Sequence, residues 1–164
     1  NTSVSKNFHG MYMRPFFDTF DVPIIDKLVP DKMLTSQILA IGDIIFDGQD
    51  TEEEKFYRKN SIRIIEREEF LKNEVTILKE IERFLSNFEY IHINFDVDGF
   101  DRSVSEATGL PEDGRWFKKE IFSILEILAK KEDLSIDMVE INPAKKGAEK
   151  TVNLAREILL KILG

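Results

Sequence analysis

The chain has 164 residues, 42% hydrophobic and 33% charged, with no cysteine and a formal net charge of −8. That length suits one domain burying about 70% of its unfolded surface, and no apolar run reaches the roughly 18 residues of a membrane span. Absent cysteine excludes disulfide scaffolds and thiolate metal sites and fits a reducing cytoplasm; the acidic balance argues against a nucleic-acid partner.

The first nine residues are polar and lack the charged-then-apolar pattern of a secretory signal. The chain opens on Asn1 rather than methionine, which raises the expectation that it is less than a whole protein. Residues 37–42, an apolar run closed by Gly42, read as a buried parallel strand. Residues 50–60 read as a helix, with Thr51 and Glu54 spaced as a capping box. Residues 61–65 return to strand. Residues 68–87 form the clearest helix, with Leu71, Val75, Leu78, Ile81 and Leu85 expected as its core-facing stripe.

Residues 90–95 are a strand running into Asp96-Val97-Asp98-Gly99, followed by a turn-rich loop over 100–114. A helix over 117–131 turns Ile121, Leu125 and Leu128 inward. A strand over 134–141 stops at Asn142-Pro143, and a helix over 144–163 ends at Gly164. Alternating strands and helices predict an α/β fold with a mostly parallel sheet, which binds ligands beyond the carboxyl ends of its strands. The residues there, 43–47, 96–101 and 140–142, are acidic clusters.

Asp96 and Asp98 are the sharpest feature. Read as strand residues two apart, they point to one face and can converge on a cation. Hard carboxylate oxygens favour Mg²⁺ or Mn²⁺. A solvated acidic loop is the bland alternative. The same Asp-x-Asp-Gly also resembles the nucleophile motif of haloacid-dehalogenase-like phosphatases. The usual threonine after its glycine is Phe100 here, and the acidic motif at Gly42-Asp43 precedes it instead of following.

The surroundings favour another family. Asn94-Phe95-Asp96-Val97-Asp98-Gly99-Phe100-Asp101, followed by Ala107-Thr108-Gly109-Leu110-Pro111 and Gly114, resembles the signature of the arginase-like ureohydrolases. Ser5-Lys6-Asn7-Phe8-His9-Gly10-Met11 is similar to that family's Ser-Gly-Asn-Phe-His-Gly-Met. Val139-Glu140-Ile141-Asn142-Pro143 is similar to its Glu-Val-Asn-Pro element.

The resemblance implies a three-layer arginase-like fold, here its second half, and a single domain over 1–164 that is the carboxyl-terminal portion of such a protein. It implies hydrolysis of a guanidino compound, arginine to ornithine and urea first, by a hydroxide bridging two Mn²⁺ ions. Asp96 and Asp98 are then metal ligands, His9 the proton-shuttling histidine, and Glu140 the carboxylate that forks onto the guanidinium. Ser5 and Asn7 match residues that hold the amino-acid end of arginine, and Asp47 stands where the family has an aspartate for the α-amine. His92 and Trp116 read as sheet and core residues.

Three departures stand out: Arg102 replaces a proline, Arg115 one of two paired glycines, and Leu110 a threonine near the substrate. They leave agmatine, formiminoglutamate or another guanidino compound open, along with a non-catalytic subunit that keeps the fold for assembly. The family's Gly-Gly-Asp-His and Asp-Ala-His-x-Asp motifs, which supply most of the metal ligands, are absent from the chain. The expectation is therefore a complementary amino-terminal chain or segment. It would insert a strand between the one ending at Asp96 and the one ending at Gly42. Trimers or hexamers of the whole are expected by family resemblance.

Overall fold

The computed structural model describes residues 14–17, 23–29, 31–42 and 52–164, the side chains of Arg14 and of residues 52–54 excepted. Ser5, Asn7, His9, Thr51 and the cluster at 43–47, which includes Asp47, lie outside the described residues. The chain groups into two compact units, Asn1–Ile64 and Ile65–Gly164.

In the first unit, α1 (Arg14–Phe17) and α2 (Pro23–Leu28) precede β1 (Leu39–Ile41), α3 (Glu52–Lys59) and β2 (Arg63–Ile65), the last closing on the first residue of the second unit. β1 and β2 pair with each other. Met33 N–H donates to Phe16 O at 2.7 Å, and Phe17 packs on Phe56 with ring centroids 5.4 Å apart. The expected strand over 37–42 is shorter because Thr35–Gln37 forms a 3-10 turn, with Gln37 accepting the Leu34 N–H at 2.7 Å.

The second unit carries α4 (Arg67–Leu85), β3 (Ile91–Asp96), α5 (Lys118–Leu128), β4 (Leu134–Val139) and α6 (Ala148–Leu163). β3 and β4 are parallel, from Ile91 opposite Leu134 to Asp96 opposite Val139. Period-two alternation sends Ile93, Phe95, Ile136 and Met138 to one face, where they pack on Phe100, Leu125, Leu154, Ile158 and Ile162. The alternate residues are polar: His92 bonds Ser135 Oγ through Nδ1 and Asp137 Oδ1 through Nε2, both at 2.7 Å. His92 is thus a sheet residue, as expected. Trp116 is buried against Phe70, centroids 5.2 Å apart, also as expected.

The described strands form two separate two-stranded sheets, β1–β2 and β3–β4. Two expected features are corrected. Leu71 and Val75 are exposed, and the buried stripe of α4 is Phe70, Ile77, Ile81 and Leu85. Phe70, Ile77, Ile81 and Leu85 lie on one regular helical face, and Leu71 and Val75 fall beside it; Asn73, with a non-helical φ of −138 and ψ of 33, kinks the helix between Phe70 and Ile77. The last helix starts at Ala148 rather than 144, because Gly147 holds a left-handed φ of 79 at its N-cap and Asn142 Oδ1 accepts the Ala144 N–H within a preceding turn.

At the α4 and α5 amino ends, Arg67 grips Glu120 with two parallel bonds, Nε to Oε2 at 2.8 Å and Nη2 to Oε1 at 2.7 Å. Glu120 Oε2 also accepts the Phe117 N–H at 2.9 Å, satisfying a helix-terminal donor. Burial pushes the Glu120 carboxyl up, but the Arg67 bonds, the Phe117 amide and nearby positive charge prevail and hold it below its ordinary range.

Candidate active site

Because β3 and β4 run parallel and in register, both deliver acidic side chains to the same sheet end: Asp96 closes β3 and Glu140 follows β4. Asp98 does not continue the strand. Residues Val97–Gly99 form a 3-10 turn, and Asp96 caps it by accepting the Asp98 N–H on Oδ1 at 2.8 Å. The expected strand alternation of the two aspartates is therefore corrected: a turn, not a pleat, sets their relation.

The loop after this turn is held by Asp101, which is buried. Its Oδ1 accepts Ser103 N–H at 2.9 Å and Ser103 Oγ–H at 2.5 Å, and its Oδ2 accepts Gly114 N–H at 2.7 Å. The Ser103 hydroxyl, then the Ser103 and Gly114 amides and Arg67, hold its carboxyl below the usual range against the opposing effect of burial. The Arg102 guanidinium donates to Pro111 O at 2.7 Å and pairs with Asp113 at 3.3 Å. Arg115 pairs with Glu112 at 2.7 Å. Both arginines that depart from the family pattern thus tie the loop to itself.

The following segment crosses back over the sheet end. Ala107 and Thr108 are fully buried. Ala107 N–H donates to Thr151 Oγ1 on α6 at 3.1 Å, and Ala107 O accepts Asn142 N–H at 2.9 Å. Leu110 N–H reaches Asp98 Oδ1 at 3.3 Å, while its side chain is 66% exposed at the rim.

Between these points lies Gly109. A Cβ added there would stand 2.7 Å from Glu140 Oε2 and 3.4 Å from Asp98 Oδ2, so the two carboxylates flank a residue without a side chain. Glu140 itself holds a left-handed backbone, φ 65, a conformation that costs a non-glycine residue about 1–3 kcal/mol. Among the described residues its carboxylate has no hydrogen-bond or ion-pair partner. Partial desolvation, with the Asp98 and Glu140 charges, raises the Asp96 carboxyl above its ordinary range, although its flank meets solvent and the Asp98 amide and Arg115 oppose the rise. The centre therefore carries excess negative charge in a form that a cation would neutralise.

Asp96 and Asp98 supply hard oxygen donors suited to part of a divalent metal sphere. Among the described residues no group of three or more His, Cys, Asp or Glu is arranged to hold a metal ion, so they are not a complete site. Of the residues expected at the site, the structure gathers Asp96, Asp98 and Glu140. Gly109 and Asp101 stand in the signature motif, which could have marked them, but the sequence reading gives neither a role.

The structure has the arginase fold. It matches Entamoeba histolytica arginase, solved with L-ornithine, at a TM-score of 0.87 and 21% identity, over 99% of this chain and 54% of that one. The chain belongs to the arginase family, whose model matches residues 1–164. A Schizosaccharomyces pombe arginase is 29% identical over 176 residues, 100% of this chain and 52% of that protein. Human arginase-1 is 30% identical over 177 residues, 99% of this chain and 53% of that protein. The chain thus spans about half the length of the curated relatives it matches. Family membership sets aside the phosphatase reading of Asp96-Val97-Asp98-Gly99.

Proposed function

We propose that this chain is the carboxyl-terminal portion of a ureohydrolase that hydrolyses a guanidino compound, with arginine, giving ornithine and urea, as the first candidate. The observation that carries the reading is the Glu140 carboxylate, without a partner among the described residues, held by a left-handed backbone beside Gly109 with Asp98 close to the same point. A guanidinium is planar, always charged and forked, and it is the cation that two-oxygen acceptance by a carboxylate recognises best.

In this reading Glu140 binds and orients the guanidinium. Asp96 and Asp98 hold Mn²⁺ in a binuclear centre together with ligands from a complementary amino-terminal chain or segment. Bound Mn²⁺ supplies Lewis acidity, lowering the pKa of water toward neutrality. His9 moves the proton to the departing amine, and Ser5, Asn7 and Asp47 hold the amino-acid end. The absent motifs and the partial metal set among the described residues support the complementary segment. Assembly of the whole into trimers or hexamers belongs to the same proposal. Among the described residues no helix is long and apolar enough to cross a membrane, and the absence of cysteine supports a cytoplasmic setting.

The test is urea release from arginine by the natively assembled protein with Mn²⁺, with urea release from agmatine and formamide release from formiminoglutamate measured alongside. Urea from arginine supports the reading, and preference for another of the three reassigns the substrate. Hydrolysis of none by metal-loaded, assembled protein contradicts it.

A further inference from the structure

The carbonyl oxygens of Thr108 and Gly109 meet an ammonium. Lys145, in the turn between β4 and α6, donates from Nζ to Thr108 O at 2.6 Å and to Gly109 O at 3.4 Å. Its partners are backbone carbonyls, and among the described residues it forms no ion pair. Its own N–H donates to Asn142 O at 3.1 Å, which folds the turn back on itself. Asn142 N–H in turn holds Ala107 O at 2.9 Å. Consecutive residues 107 and 108 are therefore fastened to the 142–145 turn at two points, one backbone and one charged. Charge-assisted bonds of this kind are roughly twice as strong as neutral ones.

The two residues that follow meet the carboxylates. Gly109 meets Glu140 Oε2, and Leu110 N–H meets Asp98 Oδ1. Glu140 lies two residues before Asn142, so the clamp joins the loop that touches Asp98 to the turn that follows Glu140. The Thr108 hydroxyl does not share this work, being buried without a partner among the described residues. The tolerance is narrow, because a Cβ at Gly109 would stand only 2.7 Å from Glu140 Oε2.

We infer that Lys145 is a positioning residue of the acidic centre: it pins the Thr108–Gly109 peptide to the Asn142–Lys145 turn and so sets how the Asp98 and Glu140 carboxylates face each other. The use of that spacing for a guanidinium rests on the function proposed above; the clamp itself does not.

Lys145→Met keeps the aliphatic stem and removes the donor, and Lys145→Arg restores a charged donor. Both are made in the natively assembled protein and read in two ways. The first is hydrogen exchange at the Leu110 amide, which needs no activity: Lys145→Met accelerates it several-fold and Lys145→Arg recovers most of the protection. The second is urea release, where Lys145→Met raises KM for arginine about tenfold with a smaller change in kcat, and Lys145→Arg recovers most of it. Unchanged Leu110 exchange in Lys145→Met overturns the clamp. Altered exchange with wild-type KM, or a lowered melting temperature with neither change, reduces Lys145 to a structural cap and overturns the positioning role. Wild-type protein that releases no urea defeats the functional reading instead, and the exchange result still decides the clamp.

Discussion

Asp98 and Glu140 both reach the point where a Cβ on Gly109 would stand, 3.4 Å from one carboxylate and 2.7 Å from the other. Two adjacent parallel strands and one crossing loop create this relationship, and its chemistry follows from charge: a gap flanked by unneutralised carboxylates is a place for a cation. The predictions below probe the gap, the backbone that holds it and the loop that closes it.

Gly109→Ala puts a methyl group into the gap. Its nearest neighbour is the far end of the Glu140 side chain, which can swing away, so the fold loses no more than about 1 kcal/mol. The displaced carboxylate no longer forks onto substrate, and KM for arginine rises about tenfold. Steady-state kinetics beside a denaturant melt check both; an unchanged KM speaks against Glu140 as the guanidinium partner.

Glu140→Gly separates stability from function. Glycine accepts φ 65 without strain, and the substitution also removes a negative charge that raises Asp96. Unfolding free energy is expected to rise by about 0.5–1 kcal/mol while arginine binding is lost. Equilibrium unfolding without metal, together with calorimetric titration of arginine, reads the two effects. A fall in stability would show that the left-handed backbone at 140 stores no strain.

Asp101 predicts a pH dependence. Its folded carboxyl is more acidic than the ~3.9 of an unfolded aspartate, so its contribution is complete above that value and is lost as pH falls through the lower folded value. Asp101→Asn removes the charge and leaves either the Ser103 or the Gly114 donor poorly satisfied, costing about 1–3 kcal/mol at neutral pH. The gap between the two proteins in denaturant unfolding should narrow below about pH 4. A gap of constant size from neutral pH to acid would refute the charge-based anchor.

Metal loading predicts a partner. Asp96 and Asp98 alone cannot complete a sphere of about six donors, so full Mn²⁺ occupancy after dialysis is expected only when the complementary segment is present. Metal analysis and native mass measurement on the same sample decide this. A lone copy of the chain retaining two Mn²⁺ would show that it needs no partner.

Much of this arrangement was legible in the sequence for local reasons. The period-two pattern of residues 91–96 and 134–139 marks both strands, and the acidic residues ending them mark the site. What escaped depends on single backbone angles and on distant contacts. The buried face of α4, with Phe70, Ile77, Ile81 and Leu85, lies beside the stripe of Leu71 and Val75, and both stripes have helical spacing, so only packing against the rest of the unit chooses between them. The 3-10 turn at Asp98 replaced the expected pleat because Asp96 caps it. The Lys145 contact with Thr108 spans 37 positions, so neither local pattern nor motif announces it.

The most direct measurement is Mn²⁺-dependent urea release from arginine by the natively assembled protein and its Asp98→Ala variant. The account predicts release by the parent and a loss on the order of a hundredfold or more in the variant, with secondary structure unchanged. Equal release by the two proteins would contradict it.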